Sequence, residues 1–150
     1  MKSKFYPFFI LSLLLLFSSC KKWLPENRVV GSWQLIDAEK RRLLNSQSFS
    51  TGYESGVFTF YDNGDATYRD AAGSMTGSWN MRQTDGGYYD QDGNWQSQKR
   101  TDMLIQLYDF RSNRVIDWYF DYIDFRNSGG RLIGFVNGAS YNYRYYFRKQ

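Results

Sequence analysis

The sequence of 150 residues has no histidine, one cysteine and two prolines. Without histidine there is no Ser-His-Asp triad, no imidazole general base and no His-ligated zinc. A lone cysteine excludes an intrachain disulfide and a paired-thiol redox site. After Pro25 there is no proline at all, so no strand beyond it lacks a backbone donor. Neither a G-x-S-x-G elbow nor a phosphate-binding P-loop occurs. What is abundant is aromatic: 12 Phe, 13 Tyr and 5 Trp. With 42% hydrophobic residues, the chain can build a core and is not disordered by composition. Its length fits one domain.

The N-terminus reads differently from the rest. Lys2 and Lys4 precede an uncharged apolar run over residues 8–17. Such a run is too short to cross a bilayer, which takes about 20 residues. It fits the apolar core of a secretory signal. Ser18 and Ser19 lead to Cys20, the only cysteine. Residues 17–20 with these flanks resemble a bacterial lipobox. The resemblance implies cleavage after residue 19 and a diacylglyceryl group on the Cys20 thiol. The chain then divides into a signal peptide (1–19), a lipidated cysteine with linker (20–30) and a folded body (31–150). Two or more acyl chains anchor stably, so the membrane is the first expected partner. In Gram-negative sorting, Asp after the cysteine resembles an inner-membrane retention signal. Lys21 stands there instead, which implies the outer membrane, and the lack of acidic residues after it favours the periplasmic face over the cell surface.

Charge is uneven along the chain. Residues 20–42 hold six positive and three negative side chains, while residues 43–150 hold eleven and twelve. The surplus suits a tether beside anionic headgroups or a solvated linker equally well. A near-neutral body is not a nucleic-acid footprint.

From Gly31 onward, period-two alternation punctuated by Gly, Asn and Asp predicts an antiparallel β meander. Strands are expected over residues 32–37, 56–61, 65–69, 75–82, 103–110, 115–125, 132–136 and 140–148. Residues 88–100 form either a further strand or a long loop. Residues 38–44 carry helix formers and predict one or two helical turns. Asp62-Asn63-Gly64 is the strongest hairpin signal, since Asn-Gly tolerates positive φ at both central positions. Eight or nine strands predict an all-β, up-and-down barrel in which the last strand pairs with the first. In the last strand Tyr141, Tyr143, Tyr145 and Phe147 share one face. Ile116, Trp118, Phe120 and Tyr122 align in the long strand, then Ile123 and Phe125 take the opposite parity. That switch predicts a bulge or a barrel corner near residue 122.

Gly31-Ser32-Trp33 opens the first strand, followed by Phe58-Thr59-Phe60, the Asp62–Asp65 hairpin, Gly77-Ser78-Trp79 and a C-terminal meander ending in Tyr143–Arg148. This order resembles the lipocalin-like domains of small bacterial lipoproteins, over roughly residues 31–148. The resemblance implies that Gly31 and Trp33 plug one barrel end and that an arginine of the last strand, Arg144 or Arg148, stacks on the tryptophan. It also implies a small apolar ligand inside the barrel. The candidate wall is Phe58, Phe60, Trp79, Leu104, Trp118, Phe120 and Tyr143. The pattern departs from lipocalins in having no disulfide and no C-terminal helix, with Phe120-Asp121-Tyr122 a shadow of the middle motif. Physically, eight strands enclose an interior that either holds one small ligand or is filled by side chains.

Other chemistry is poorly supported. Asp90-Gln91-Asp92-Gly93-Asn94 has a calcium-loop flavour, but no Glu stands at loop position 12, and a turn is the better account. Asp117 and Asp121 share a strand face about 13 Å apart, which exceeds the roughly 5–9.5 Å of glycosidase carboxylate pairs. No enzyme activity, metal or cofactor is expected. Two readings remain: a barrel that binds an apolar ligand, and a filled barrel that serves as an interaction or scaffold module with an envelope protein partner.

Overall fold

The computed structural model of the protein describes residues 25–42, 45–89 and 91–150. The expected signal segment, Cys20 and Lys21 lie outside the described residues. The fold is one antiparallel, up-and-down sheet of ten strands: β1 (Gly31–Arg42), β2 (Asn45–Ser48), β3 (Val57–Phe60), β4 (Asp65–Asp70), β5 (Gly73–Tyr89), β6 (Trp95–Asp109), β7 (Arg114–Phe120), β8 (Tyr122–Arg126), β9 (Arg131–Asn137) and β10 (Asn142–Lys149). A short helix, α1 (Pro25–Val29), precedes β1. The strand order is β7-β6-β5-β4-β3-β1-β10-β9-β8, with β2 folded back on β1.

The first and last strands pair as expected, Leu35 opposite Phe147 and Glu39 opposite Arg144. The expected closure into a fully bonded barrel is not found, because no ladder joins the two ends of the sheet. Those ends, β7 and β8, are instead one run of chain bent at Asp121. Before the bend, β7 pairs with β6 as far as Phe120; after it, β8 pairs with β9 from Tyr122. The Asp121 amide donates to the Phe135 carbonyl at 2.8 Å, and its carboxylate accepts the Asn137 N–H at 2.6 Å. This is the predicted change of face: Ile116 and Phe120 are buried before it and Ile123 after it.

Burial follows the pleat. Phe58, Phe60, Tyr68, Met75, Ile105, Leu107 and Phe147 are each at most 1% exposed and form one core cluster with Trp33 and Leu35. In β1 the inward face changes at Ile36, where the register with β10 shifts between Leu35 and Asp37. Leu35 points in before this bulge and Ala38 after it, which brings Ile36 to the surface.

Three local expectations are corrected. Residues 38–42 continue β1 rather than turning into a helix, because β10 and β2 supply ladders on both edges there. Tertiary pairing overrides the helix propensity of that stretch; Leu43 and Leu44 lie outside the described residues. Residues 25–29 of the expected linker form α1, starting at Pro25, whose fixed φ suits a first helical position. In the β3–β4 hairpin only Gly64 has positive φ, at 87°, and not Asn63. The Gly64 N–H bonds the Tyr61 carbonyl at 3.2 Å, so residues 61–65 form a three-residue loop rather than a two-residue one. Residues 88–100, left open between strand and loop, are mostly strand: β5 and β6 pair out to Tyr89 opposite Trp95, past the edge of the core.

The sheet has two ends. One, called here the near end, gathers α1, the start of β1, and the β3–β4 and β8–β9 turns. The other, the far end, gathers the end of β1, β2, residues 49–56, and the β4–β5, β6–β7 and β9–β10 turns.

Candidate functional site

Most of the expected ligand wall is brought together. Phe58 and Phe60 on β3, Trp79 on β5, and Trp118 and Phe120 on β7 all belong to the core or pack against it. They meet each other. The Phe58 ring lies 4.7 Å from Tyr68, 5.7 Å from Trp118 and 5.7 Å from Phe147. Trp118 and Phe120 each lie 5.3 Å from Tyr145. These centroid separations are those of packed aromatic pairs. Leu104 is placed elsewhere. Its neighbours Met103 and Ile105 point inward, while Leu104 lines an outer groove with Asn80, Arg82, Asp102 and Tyr119. Period-two parity with Met103 and Ile105 is the signal that separates it from the wall. Tyr143 is half-buried at the far end, edge-on to Phe49 at 5.9 Å.

The near end is plugged by both tryptophans. Trp33 is fully buried and donates its indole N–H to the Val29 carbonyl at 2.6 Å, tying α1 over the opening. Trp79 donates to the Tyr61 carbonyl at 2.8 Å, tying in the β3–β4 loop. Gly31 has φ of 124°, a region L side chains avoid, and a Cβ there would press on the Lys149 side chain at 3.2 Å. The cation over Trp33 is Lys149, 5.4 Å from the ring, and neither Arg144 nor Arg148. The ladder explains this: Lys149 stands opposite Trp33, whereas Arg148 stands opposite Gln34 on the outer face. Arg144 lies over Phe135 at 5.2 Å instead.

The far end is covered by residues 49–56, which carry no sequence expectation except at Gly56, expected to start the strand that begins at Val57. Phe49 packs on Tyr143 and Tyr145, and Tyr53 packs on Tyr68 and Trp118. The Tyr53 hydroxyl donates to the Val115 carbonyl at 3.1 Å. Glu54 organises the segment by accepting from the Thr51 amide, the Thr51 and Ser50 hydroxyls and the Gly52 amide. Burial would raise its carboxyl pKa, but these bonds outweigh burial and hold it below the ordinary value.

Beside this cover sits an ion cluster. Arg114 contacts Asp70 at 2.7 Å and Asp109 at 3.8 Å. The Arg114 hydrogen bond holds the Asp70 carboxyl below its ordinary value. The neighbouring Tyr68 hydroxyl is buried with no hydrogen-bond partner among the described residues. Burial, with the Asp70 charge adding to it, pushes its pKa up to about 12. On the outer wall, Asp102 is only 3% exposed and accepts from Arg82 and from the Tyr119 hydroxyl, both at 3.0 Å. That bond, with burial, raises the Tyr119 pKa.

A second concave feature lies at the far end, between the end of β1 and the β9–β10 turn. It is a cleft of about 660 Å³ lined by Arg41, Arg42, Tyr141, Asn142 and Arg144 and by the turn residues Gly138, Ala139 and Ser140. Two of these positive charges, Arg41 and Arg42, belong with Lys40 to the surplus that the sequence left open between a membrane-side tether and a solvated linker. β1 instead carries Lys40, Arg41 and Arg42 to the end opposite α1.

Asp117 accepts from the Gln106 amide at 3.2 Å and Asp121 is held in the bend, so each has a structural partner. Asp92 and Gly93 lie in the tight turn between β5 and β6, and Asp90 lies outside the described residues. Among the described residues, no group of three Asp, Glu, His or Cys converges as metal ligands, and no helix is long and apolar enough to cross a membrane. In comparisons with known proteins, no family model, no curated protein and no solved structure matches the chain.

Proposed function

We propose that the chain is a lipid-anchored, non-catalytic module of the cell envelope that works through its outer surface, with its interior filled by its own aromatic side chains. One observation carries this reading. Phe58 lies mid-interior with no exposed surface, and rings of Tyr68, Trp118 and Phe147 stand within 5.7 Å of it on three sides. An occupant would have to displace these rings, each of which contributes roughly 1 kcal/mol of pair energy beyond its burial. The anchor rests on the lipobox-like residues and Cys20, and the outer membrane facing the periplasm is the proposed place.

Native mass spectrometry of the full chain, extracted from membranes in mild detergent, tests the filled interior. An empty chain is the expected result, and a retained apolar molecule of defined mass overturns it. Cys20→Ser tests the anchor, with the protein expected to move from the membrane to the soluble fraction.

The alternative, a lipocalin-like barrel that takes a small apolar ligand, is favoured by the far end. Tyr53, Trp118, Tyr143 and Tyr145 are only half-buried there. A ligand would enter by lifting Tyr53 off Trp118, and Tyr53→Ala would then increase uptake of a fluorescent fatty-acid probe.

A further inference from the structure

We propose that the far-end cleft between β1 and the β9–β10 turn binds the phosphoryl group of a small or polymer-borne molecule. The proposal is independent of what fills the interior. Arg41, Arg42 and Arg144 line the cleft, and no carboxylate does. Lys40 stands over the Tyr141 ring at 3.8 Å and Arg42 at 5.8 Å, so four cations gather around one turn. Among the described residues, Lys40, Arg42 and Arg144 make no ion pair, and Arg41 has only Glu39 at 3.8 Å. Glu39 is shared, since it also accepts from the Tyr146 hydroxyl at 3.0 Å. Three other arginines, Arg82, Arg114 and Arg126, each have an aspartate within 3.0 Å. Lys40, Arg41 and Arg42 are consecutive like charges, with the Glu39 carboxylate opposite Arg144, and a bound anion lowers the remaining repulsion.

The cleft is also built to keep its shape. The Gly138 N–H donates to the Tyr141 carbonyl at 3.0 Å, and a Cβ at Gly138 would stand 2.6 Å from that oxygen. The β1–β10 ladder sets the spacing, with Lys40 opposite Tyr143 and Arg41 opposite Asn142. Each guanidinium is a planar fork that matches an oxyanion edge. A phosphoryl group, with three terminal oxygens, accepts from more than one such fork, whereas a carboxylate has two oxygens to offer. The volume of about 660 Å³ exceeds a bare phosphate and is in the range of small-molecule sites. Along β1 the cleft lies about 30 Å from Gly31, at the end away from the anchor side. That separation favours a phosphoryl group that does not belong to the anchoring bilayer.

The test is calorimetric titration of the full chain in neutral detergent with inorganic pyrophosphate and, separately, with glycerophosphoglycerol, a soluble lipid headgroup. Saturable pyrophosphate binding that weakens with added salt is expected, tighter than binding of the headgroup. Arg42→Gln and Arg144→Gln should each weaken it by about tenfold, the effect of one lost charge-assisted contact. Arg148→Gln, on the same strand but outside the cleft, should leave it unchanged. The thermal midpoints of the two cleft variants, measured without ligand, should change little, since each removes a crowded positive charge together with a ring contact over Tyr141 or Phe135. Tighter binding of the headgroup overturns the assignment to a non-bilayer source. Absence of pyrophosphate binding, or binding that survives both cleft substitutions, overturns the site.

Discussion

The two ends of the sheet are closed by different means. At the near end, a fully buried indole is bonded to the helix that covers it, and a lysine lies over its ring. At the far end, half-buried tyrosines and phenylalanine lie under a segment that Glu54 holds together from within. The near end is tied by elements adjacent in sequence, Val29 and Trp33. The far end is tied by contacts of long sequence separation, such as Tyr53 with Val115. A closure built on full burial is costly to disturb, whereas one built on half-buried rings and ion pairs responds to pH and salt. This contrast places rigidity at the end covered by α1 and adjustable surface at the other.

The largest expected effect comes from breaking the near end. Trp33→Ala removes a buried indole and its bond to α1, and should cost about 3–5 kcal/mol in chemical denaturation. Tyr53→Ala, the far-end counterpart, should cost less, about 1–3 kcal/mol. Equal losses would erase the distinction between the ends.

Gly31→Ala comes next. It forces a side chain into positive φ and against Lys149, at about 1–3 kcal/mol. The same change at Gly93, a turn glycine with open space around it, should cost less despite its positive φ of 80°. A comparison of thermal midpoints separates strain from crowding.

The pH response sharpens the far end. Asp70 has a lowered folded pKa, so its contribution is present above the unfolded value near 4 and is lost as pH falls through the folded one. Tyr68 has a raised folded pKa of about 12, so its contribution is full below pH 10 and is lost between there and pH 12. Stability measured against pH should therefore fall at both extremes. Asp70→Asn should flatten the acid limb, and Tyr68→Phe the alkaline limb; an unchanged profile in either variant refutes that assignment.

The smallest effect concerns the cation on Trp33. Lys149→Met should cost about 0.5–1 kcal/mol, whereas Arg148→Gln should stay within about 0.5 kcal/mol of the parent. The opposite order would restore the arginine that the family resemblance implied.

Alternation over Ile116–Phe120 and Tyr141–Phe147 was enough to read the strands, the inward faces and the corner at Asp121, because side-chain parity is a local property of an extended chain. Lys149 over Trp33 was not read: the resemblance pointed to Arg144 and Arg148, which lie on the opposite parity from Trp33. The lipobox-like segment was read from residue types alone. What local pattern could not decide was anything set by partners distant in sequence. The helix formers after Ala38 became strand because β10 and β2 bond that stretch on both sides. Arg41 and Arg42, about a dozen residues after α1 in sequence, lie beside Arg144 because β1 and β10 stay paired out to Arg41 opposite Asn142. The sequence by itself determined a β meander rich in inward aromatics. Only the tertiary structure decided which of those rings pack on one another and that positive charge gathers at the far end, since both depend on which strands meet and in what register.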